Sequence, residues 1–298
     1  MKILELNSDQ AVTIFSSVKI VREHPTRALT NIDLENYISQ AVWKFFDKHR
    51  GEASERLSVG EMDLVLSDVR ILGVKIDGHQ VINPSGFTGR EFEIGLSLTV
   101  VRKDADDDSV YMVEGGSMRA YMLSRLLNLR KAFYIESDEN KTNIFSIDGG
   151  DVHHFSSFDW GGEGVVSAIE EVLDIEKDVA RNIYHKYALG DVSDRFNRRI
   201  DKPFYTNFTP FVNGALMNVR NAGGMKTNES PLIYFNPHFS VPAGVYRRHF
   251  VFGKHKLRFL RPEADLDIEE FMNENIHGVY EELNELAKRR IKWLMPTS

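Results

Sequence analysis

The sequence contains no cysteine. That excludes disulfide frameworks, thiolate zinc sites and cysteine nucleophiles together, leaves histidine and carboxylates as metal ligands, and fits a reducing compartment. Nor is there a run of eighteen or more apolar residues, and Glu5 and Asp9 interrupt the apolar residues of the first segment. Neither a spanning helix nor a signal sequence is read, and the expectation is a soluble, cytoplasmic protein. Positive charge is in deficit: 37 Lys and Arg stand against 44 Asp and Glu, a formal net charge of −7. No global field then draws nucleic acid or an anionic membrane, and any such binding must be local. What is present is 298 residues, of which 42% are hydrophobic, enough for about two domains with cores of their own.

Residues 11–22 (AVTIFSSVKIVR) are rich in β-branched side chains and read as a strand, ended by Glu23-His24-Pro25. Thr30-Asn31-Ile32-Asp33 has the form of a helix N-cap, and Leu34, Ile38, Ala41, Val42, Phe45 and Phe46 follow at helical spacing. Three strand candidates come next, at 63–76, 80–83 and 90–102, with Asp77-Gly78, Asn83-Pro84, Gly86 and Gly89 marking the turns. This is a small α+β unit over 13–103. The acidic run at 104–109 reads as a solvated linker between domains. Asp104, Asp106 and Asp108 have the opening spacing of a calcium loop, but Ser109 stands where the turn glycine belongs and Gly115 where the bidentate Glu belongs, so no calcium site is read.

Over 110–298 the pattern predicts a helix near 117–129, a strand at 131–137, a hairpin over 143–158 turning at Asp148-Gly149-Gly150, and a helix from Gly164. A second helix over 176–190 stops at Gly190, and a buried strand covers 231–235. A hairpin over 245–260 turns at Gly253-Lys254, and one or two helices fill 267–294.

Phe158-Asp159-Trp160-Gly161-Gly162-Glu163-Gly164 enters a helix through three glycines, an arrangement that lets backbone N–H groups approach a phosphate. A tight turn with close strand–helix packing explains the same glycines. The order of the motifs is more informative. The stretch from Val69 to Arg102, with Asp77, Gly78, Asn83, Pro84, Gly86 and Gly89, and the stretch from Phe133 to Ile169 together resemble the FtsA-type actin-like proteins of bacterial cell division and their PilM-type relatives of pilus assembly. The resemblance covers about residues 11–190, with a trace near 231–245. It implies an α/β fold with an actin-like (RNase H-like) lobe over 110–298, an inserted α+β subdomain of the FtsA type over 13–103, and residues 1–12 as a remnant of the first actin-like lobe. It implies nucleotide-contacting positions at Glu136, Thr142, Asn143, Gly161, Gly162 and Glu163, with ATP and Mg as the family's ligands.

The departures matter as much. Residues 1–15 contain no Asp-x-Gly-Thr phosphate loop. In the second loop the family's glycines are replaced by Asp138, Glu139 and Asn140, which add bulk and two carboxylates where a polyphosphate needs bare N–H donors. Asn236-Pro237-His238 stands at the adenosine-contacting Gly-Gly, and Val166 where an acidic residue is often found. Hydrolysis is therefore expected to be absent and no cofactor is expected. The resemblance then implies an adaptor that links filament or pilus partners to the membrane. Its partners would be a tubulin-like division protein or pilus-assembly proteins, with self-association as a further option. Alternatives are an actin-like ATPase that keeps ATP through altered loops and a PilM-like pilus-assembly protein.

Two other constellations invite function. Tyr246, Arg247, Arg248, Phe250, Phe252, Lys254, Lys256, Arg258 and Phe259 interleave cations with aromatics, as single-strand nucleic-acid platforms do. An amphipathic hairpin covering a core explains the alternation better, and nucleic acid is not the expected partner. His153-His154 and His249/His255 lack carboxylates at ligand spacing and read as structural. At the end of the sequence Ile276, Val279, Tyr280, Leu283, Leu286, Ala287, Ile291 and Leu294 form one helical stripe. Beside it Lys288, Arg289, Arg290, Lys292 and Trp293 resemble in character the terminal membrane helix of FtsA-type proteins. Packing on the domain is the stronger reading, with the cations complementing the helix dipole and Pro296 stopping the helix.

Overall fold

The computed structural model describes residues 2–105, 110–223, 230–252, 255–263, 266–275 and 280–294. It divides the chain into two compact units, one of Met1–Leu126, Gly150–Val152 and Leu266–Ser298, the other of Leu127–Gly149 and His153–Asp265. The boundary thus falls after Leu126 and not at 104–109, where Lys103–Ala105 forms a single 3-10 turn and 106–109 lie outside the described residues.

The first unit is built from β1 (Ile3–Leu6), β2 (Ala11–Val21), α1 (Asn31–Leu57), β3 (Leu64–Ile76), β4 (His79–Gln80), β5 (Glu91–Arg102), β6 (Tyr111–Glu114) and α2 (Gly115–Leu126). β2, β5, β3 and β4 pair antiparallel in that order, and β1 pairs parallel with β6. α1 starts where its sequence dictates: the Thr30 hydroxyl accepts the Asp33 N–H while Asp33 accepts the Thr30 N–H, a closed capping box. Leu34, Ile38, Ala41, Val42 and Phe45 then face the sheet and are buried against it. Asp77 and Gly78 both take positive φ, the two-residue turn that reverses β3. The second strand candidate, 80–83, shrinks to His79–Gln80 because Asn83-Pro84 leaves the ladder soon after.

The second unit comprises β7 (Lys131–Ser137), β8 (Lys141–Asp148), β9 (Asp151–Asp159) from its third residue on, α3 (Gly162–Leu173), α4 (Lys177–Leu189), α5 (Asp194–Asn221), β10 (Ile233–Pro237), α6 (Gly244–Arg247), β11 (Phe250–Phe252), β12 (His255–Leu257) and β13 (Phe259–Leu260). Its strands lie in the order β13-β10-β7-β8-β9. β8 is antiparallel to β7, whereas β10 is parallel to both β7 and β13. A meander of three strands extended on its first strand by two parallel strands is the RNase H-like order of an actin-like lobe, so the fold class implied by the resemblance holds for 127–265.

α5 carries Pro203 and Pro210 inside 28 residues and is the one long element that the sequence pattern leaves unread. Its buried Phe204, Phe208 and Phe211 join Trp160, Phe235 and Phe259 in an aromatic core with ring centroids 4.3–6.4 Å apart. The predicted 245–260 hairpin is shorter than expected, since α6 takes its start and β13 joins the main sheet. The turn at Gly253-Lys254 lies outside the described residues.

The chain returns to the first unit through α7 (Ile268–Asn275) and α8 (Glu281–Leu294). The expected single lobe over 110–298 fails for a physical reason. Tyr280, Leu283 and Ala287 bury their apolar stripe in the core that α1 and β3 form, and Asn284 accepts the Ile71 N–H of β3 at 2.7 Å. Likewise Tyr121 of α2 stacks on Phe15 of β2 at 4.3 Å and meets Phe271 of α7 edge-on.

Candidate functional site

The implied nucleotide positions come together at one end of the second unit, where the β7–β8 turn meets the start of α3. The turn closes with the Asp138 N–H donating to the Lys141 carbonyl at 2.9 Å. The Asp138 carboxylate oxygen Oδ1 then accepts the backbone N–H groups of Asn140 and Lys141, at 2.8 and 2.6 Å. The donors that a glycine-rich loop would offer to a phosphate are held by the chain's own carboxylate.

The start of α3 is filled in the same way. The Gly162 N–H donates to the Asp138 carbonyl at 3.2 Å and the Glu163 N–H to the Glu139 carbonyl at 2.9 Å. These are two of the helix's first N–H groups, otherwise open to an anion. Gly161 is required by this packing, since a Cβ there would collide with the backbone of Asp138, Glu139 and Asn140, whereas one on Gly162 would meet side chains, a Glu139 carboxylate oxygen at 2.7 Å and the Phe239 ring at 3.0 Å. Glu163 points to α4, where it pairs with Lys177 at 2.6 Å and with Arg181. The Lys177 ammonium, with Arg181, holds its carboxyl below the usual range.

Thr142 is fully buried. Its hydroxyl donates to the Trp160 carbonyl at 2.9 Å, so the Ser137 hydroxyl, 2.7 Å away, donates to Thr142. Asn143 lies opposite Glu136 in the β7–β8 register, its Oδ1 buried without a hydrogen-bond partner among the described residues. Glu136 accepts from His238 Nε2 at 2.8 Å and from the Tyr134 hydroxyl at 3.1 Å, and that hydroxyl accepts from Asn236 at 2.8 Å. The residues implied to contact nucleotide are therefore neighbours, tied mainly to one another and to the backbone.

Beside this junction lies a cleft of about 1050 Å³. α3 contributes Gly162 and Val166, and α4 contributes Arg181, Tyr184, His185 and Leu189. The segment after β10 adds Phe239 and Val241, and Tyr246, Arg247 and Arg261 complete the wall. Burial raises the phenols of Tyr184 and Tyr246, the latter to about 12, and each donates to a backbone carbonyl, Ser240 and Phe235 respectively. Arg181 and Arg261 carried no signal in the sequence, because the cleft's cations come from segments far apart in the chain. Arg247 was visible only as part of the cation–aromatic alternation. The aromatics of that alternation, Phe250 and Phe259, pack on the core of the second unit, and Arg248 sits 4.0 Å over the Tyr205 ring.

The terminal cations lie apart, on α8. Lys288 is half-buried and Arg289 exposed, while the side chains of Arg290, Lys292 and Trp293 lie outside the described residues. The apolar stripe beside them faces the core of the first unit. No helix among the described residues is long and apolar enough to cross a membrane, and none of their His, Asp and Glu residues gather in threes as a metal ion would require.

No protein-family model and no curated protein matches the sequence. Among solved structures the chain is similar to a PilM-PilN type IV pilus biogenesis complex, at 12% identity and a TM-score of 0.44, over 97% of this chain and 79% of that one. It is similar to the ethanolamine utilization protein EutJ from Carboxydothermus hydrogenoformans, at 15% identity and a TM-score of 0.31, over 46% of this chain and 45% of that one. It is also similar to MreB 5 of Spiroplasma citri bound to AMPPNP, at 13% identity and a TM-score of 0.44, over 65% of this chain and 64% of that one.

Proposed function

We propose that this chain is an actin-like adaptor of a cytoskeletal or pilus-assembly system that works without turning over ATP. One observation supports the reading: backbone donors at the β7–β8 turn and at the start of α3, where the resemblance would put a phosphate, are already used within the chain. The Asp138 carboxylate takes the turn N–H groups, and the carbonyls of Asp138 and Glu139 take the first N–H groups of α3. Phosphoryl transfer is positioning and charge neutralisation, and here an anion meets carboxylates at 138 and 139 in place of free donors. The RNase H-like strand order supports the actin-like part of the reading, and the FtsA-type and PilM-type resemblance supplies the class of partner, a filament-forming or pilus-assembly protein.

A thermal unfolding scan with and without excess Mg-ATP tests it. A ligand at 100 times its dissociation constant adds about 2.7 kcal/mol to the native state, a shift of several degrees for a chain of this size. The expected result is no shift at millimolar nucleotide and no phosphate release. A clear shift overturns the reading in favour of an ATP-controlled protein.

A further inference from the structure

Three arginines line the cleft of the second unit, Arg181, Arg247 and Arg261, and they are not equivalent. Arg181 is paired with Glu163. Arg247 and Arg261 line the cleft, are exposed to it, and have no ion-pair or hydrogen-bond partner among the described residues. They stand at a defined place in the sheet. β7, β10 and β13 run parallel, so their C-terminal ends share one edge, with Glu139 following β7, His238 following β10 and Arg261 following β13. Strands are about 4.8 Å apart, which puts about 10 Å between the β7 and β13 ends of this row. Glu139 stands where β7 ends and Arg261 where β13 ends, with Glu263 two residues further on.

That polarity is opposite to what a polyphosphate at the β7–β8 turn requires. The carboxylate of Glu139 faces the cleft beside Gly162, and the nearby backbone donors are held internally. Arg247 and Arg261 belong to the other end, and the remaining lining mixes apolar and aromatic side chains, Tyr184, Leu189 and Phe239 among them, with the polar Asn182, His185 and His238. The volume is that of a small-molecule site, and the crevice at the carboxyl ends of parallel strands is where such ligands bind.

We propose that this cleft binds a small organic anion, with a phosphate or carboxylate docked on Arg247 and Arg261 and its apolar body against Tyr184, Leu189 and Phe239. The inference rests on the reading that the turn donors are committed internally, which sends the anion to the opposite end of the cleft. Guanidinium favours planar, two-pronged contact with either oxyanion, so the two groups share one chemistry here.

Calorimetric titration of the full chain with phenyl phosphate, and separately with benzoate, tests this. The expected result is saturable binding of at least one of the two below about 10 mM, with the better binder naming the anion. Binding should weaken about tenfold or more in the Arg247→Ala/Arg261→Ala variant, whose substituted side chains are exposed and leave the fold intact. Absence of saturation with both probes, or unchanged affinity in the variant, overturns the proposal. Mg-ATP binding that survives the double substitution is a failure of the adaptor reading and not of this one.

Discussion

The carbonyl of Asp138 and the Cα of Gly161 are in such close approach that no side chain fits between them. This contact locks the β7–β8 turn onto the start of α3, with two backbone hydrogen bonds running from the helix to the turn. A glycine pair at a helix N-terminus serves two different ends, leaving room for an anion or leaving room for the protein's own backbone. Here the second is realised: main chain of the β7–β8 turn occupies the space beside Gly161.

Gly161→Ala should therefore destabilise the protein by about 1–3 kcal/mol, the range for forcing atoms into a packed site. Gly164→Ala is the matched control. It lies inside α3, where a Cβ would meet only the Asn207 side chain, from 3.4 Å outward, and better helix propensity should stabilise by about 0.5–1 kcal/mol. Urea denaturation of the two variants decides the matter. Equal effects would mean that the glycines at 161 and 164 play the same role.

A second test concerns what holds α8 on the first unit. β3 shifts register against β5 between Ile71 and Gly73, and the Ile71 N–H goes to Asn284 Oδ1 at 2.7 Å, with Asn284 itself buried. Replacing Asn284 by Leu keeps the bulk and leaves a buried donor unmade, at a cost of about 1–3 kcal/mol. Arg289→Ala, on the exposed side of the same helix, should fall within about 0.5 kcal/mol of the parent. If Asn284→Leu is neutral by chemical denaturation, Asn284 does not anchor the helix to β3.

What the sequence discloses here is what is local. Thr30 and Asp33 announce the start of α1, Asp77-Gly78 a tight reversal, and the succession from Phe133 to Ile169 the β7-β8-β9-α3 series, because caps, turns and periodicity act within a few residues. α5 escapes notice because Pro203 and Pro210 imply breaks, whereas the buried Phe204, Phe208 and Phe211 hold it together. The division into units escapes too, since it depends on which sheet α8 covers, and an apolar stripe does not say what it will face. At the site, the two carboxylates of Asp138 and Glu139 are legible in the sequence. That Asp138 then satisfies the turn itself is visible only in three dimensions. The partners of Arg181 and Arg248, Glu163 on α3 and Tyr205 on α5, are side chains that sequence proximity does not bring together.

The last prediction concerns pH. Asp68 is buried in the first unit beside Arg70, whose Nε is 3.1 Å from it and whose guanidinium lies 4.7 Å over the Tyr111 ring; the Val69 N–H donates to the same carboxylate and Lys288 of α8 adds positive charge. Burial outweighs these partners and raises the carboxyl to about 6 from its ordinary 3.8. A carboxyl raised in the folded state binds its proton more tightly there than in the unfolded chain. Its stabilising contribution is complete below about pH 4, fades as pH rises to 6, and is absent above that. Asp68→Asn, which keeps the shape and cannot ionise, should therefore gain on the parent between pH 4 and pH 6, by on the order of 2–3 kcal/mol in total, and the gap should be flat from pH 7 to 8. Paired urea titrations across that range measure the gap directly. A gap that shrinks as pH rises would mean that Arg70 and Lys288 outweigh burial and that Asp68 is held ionised.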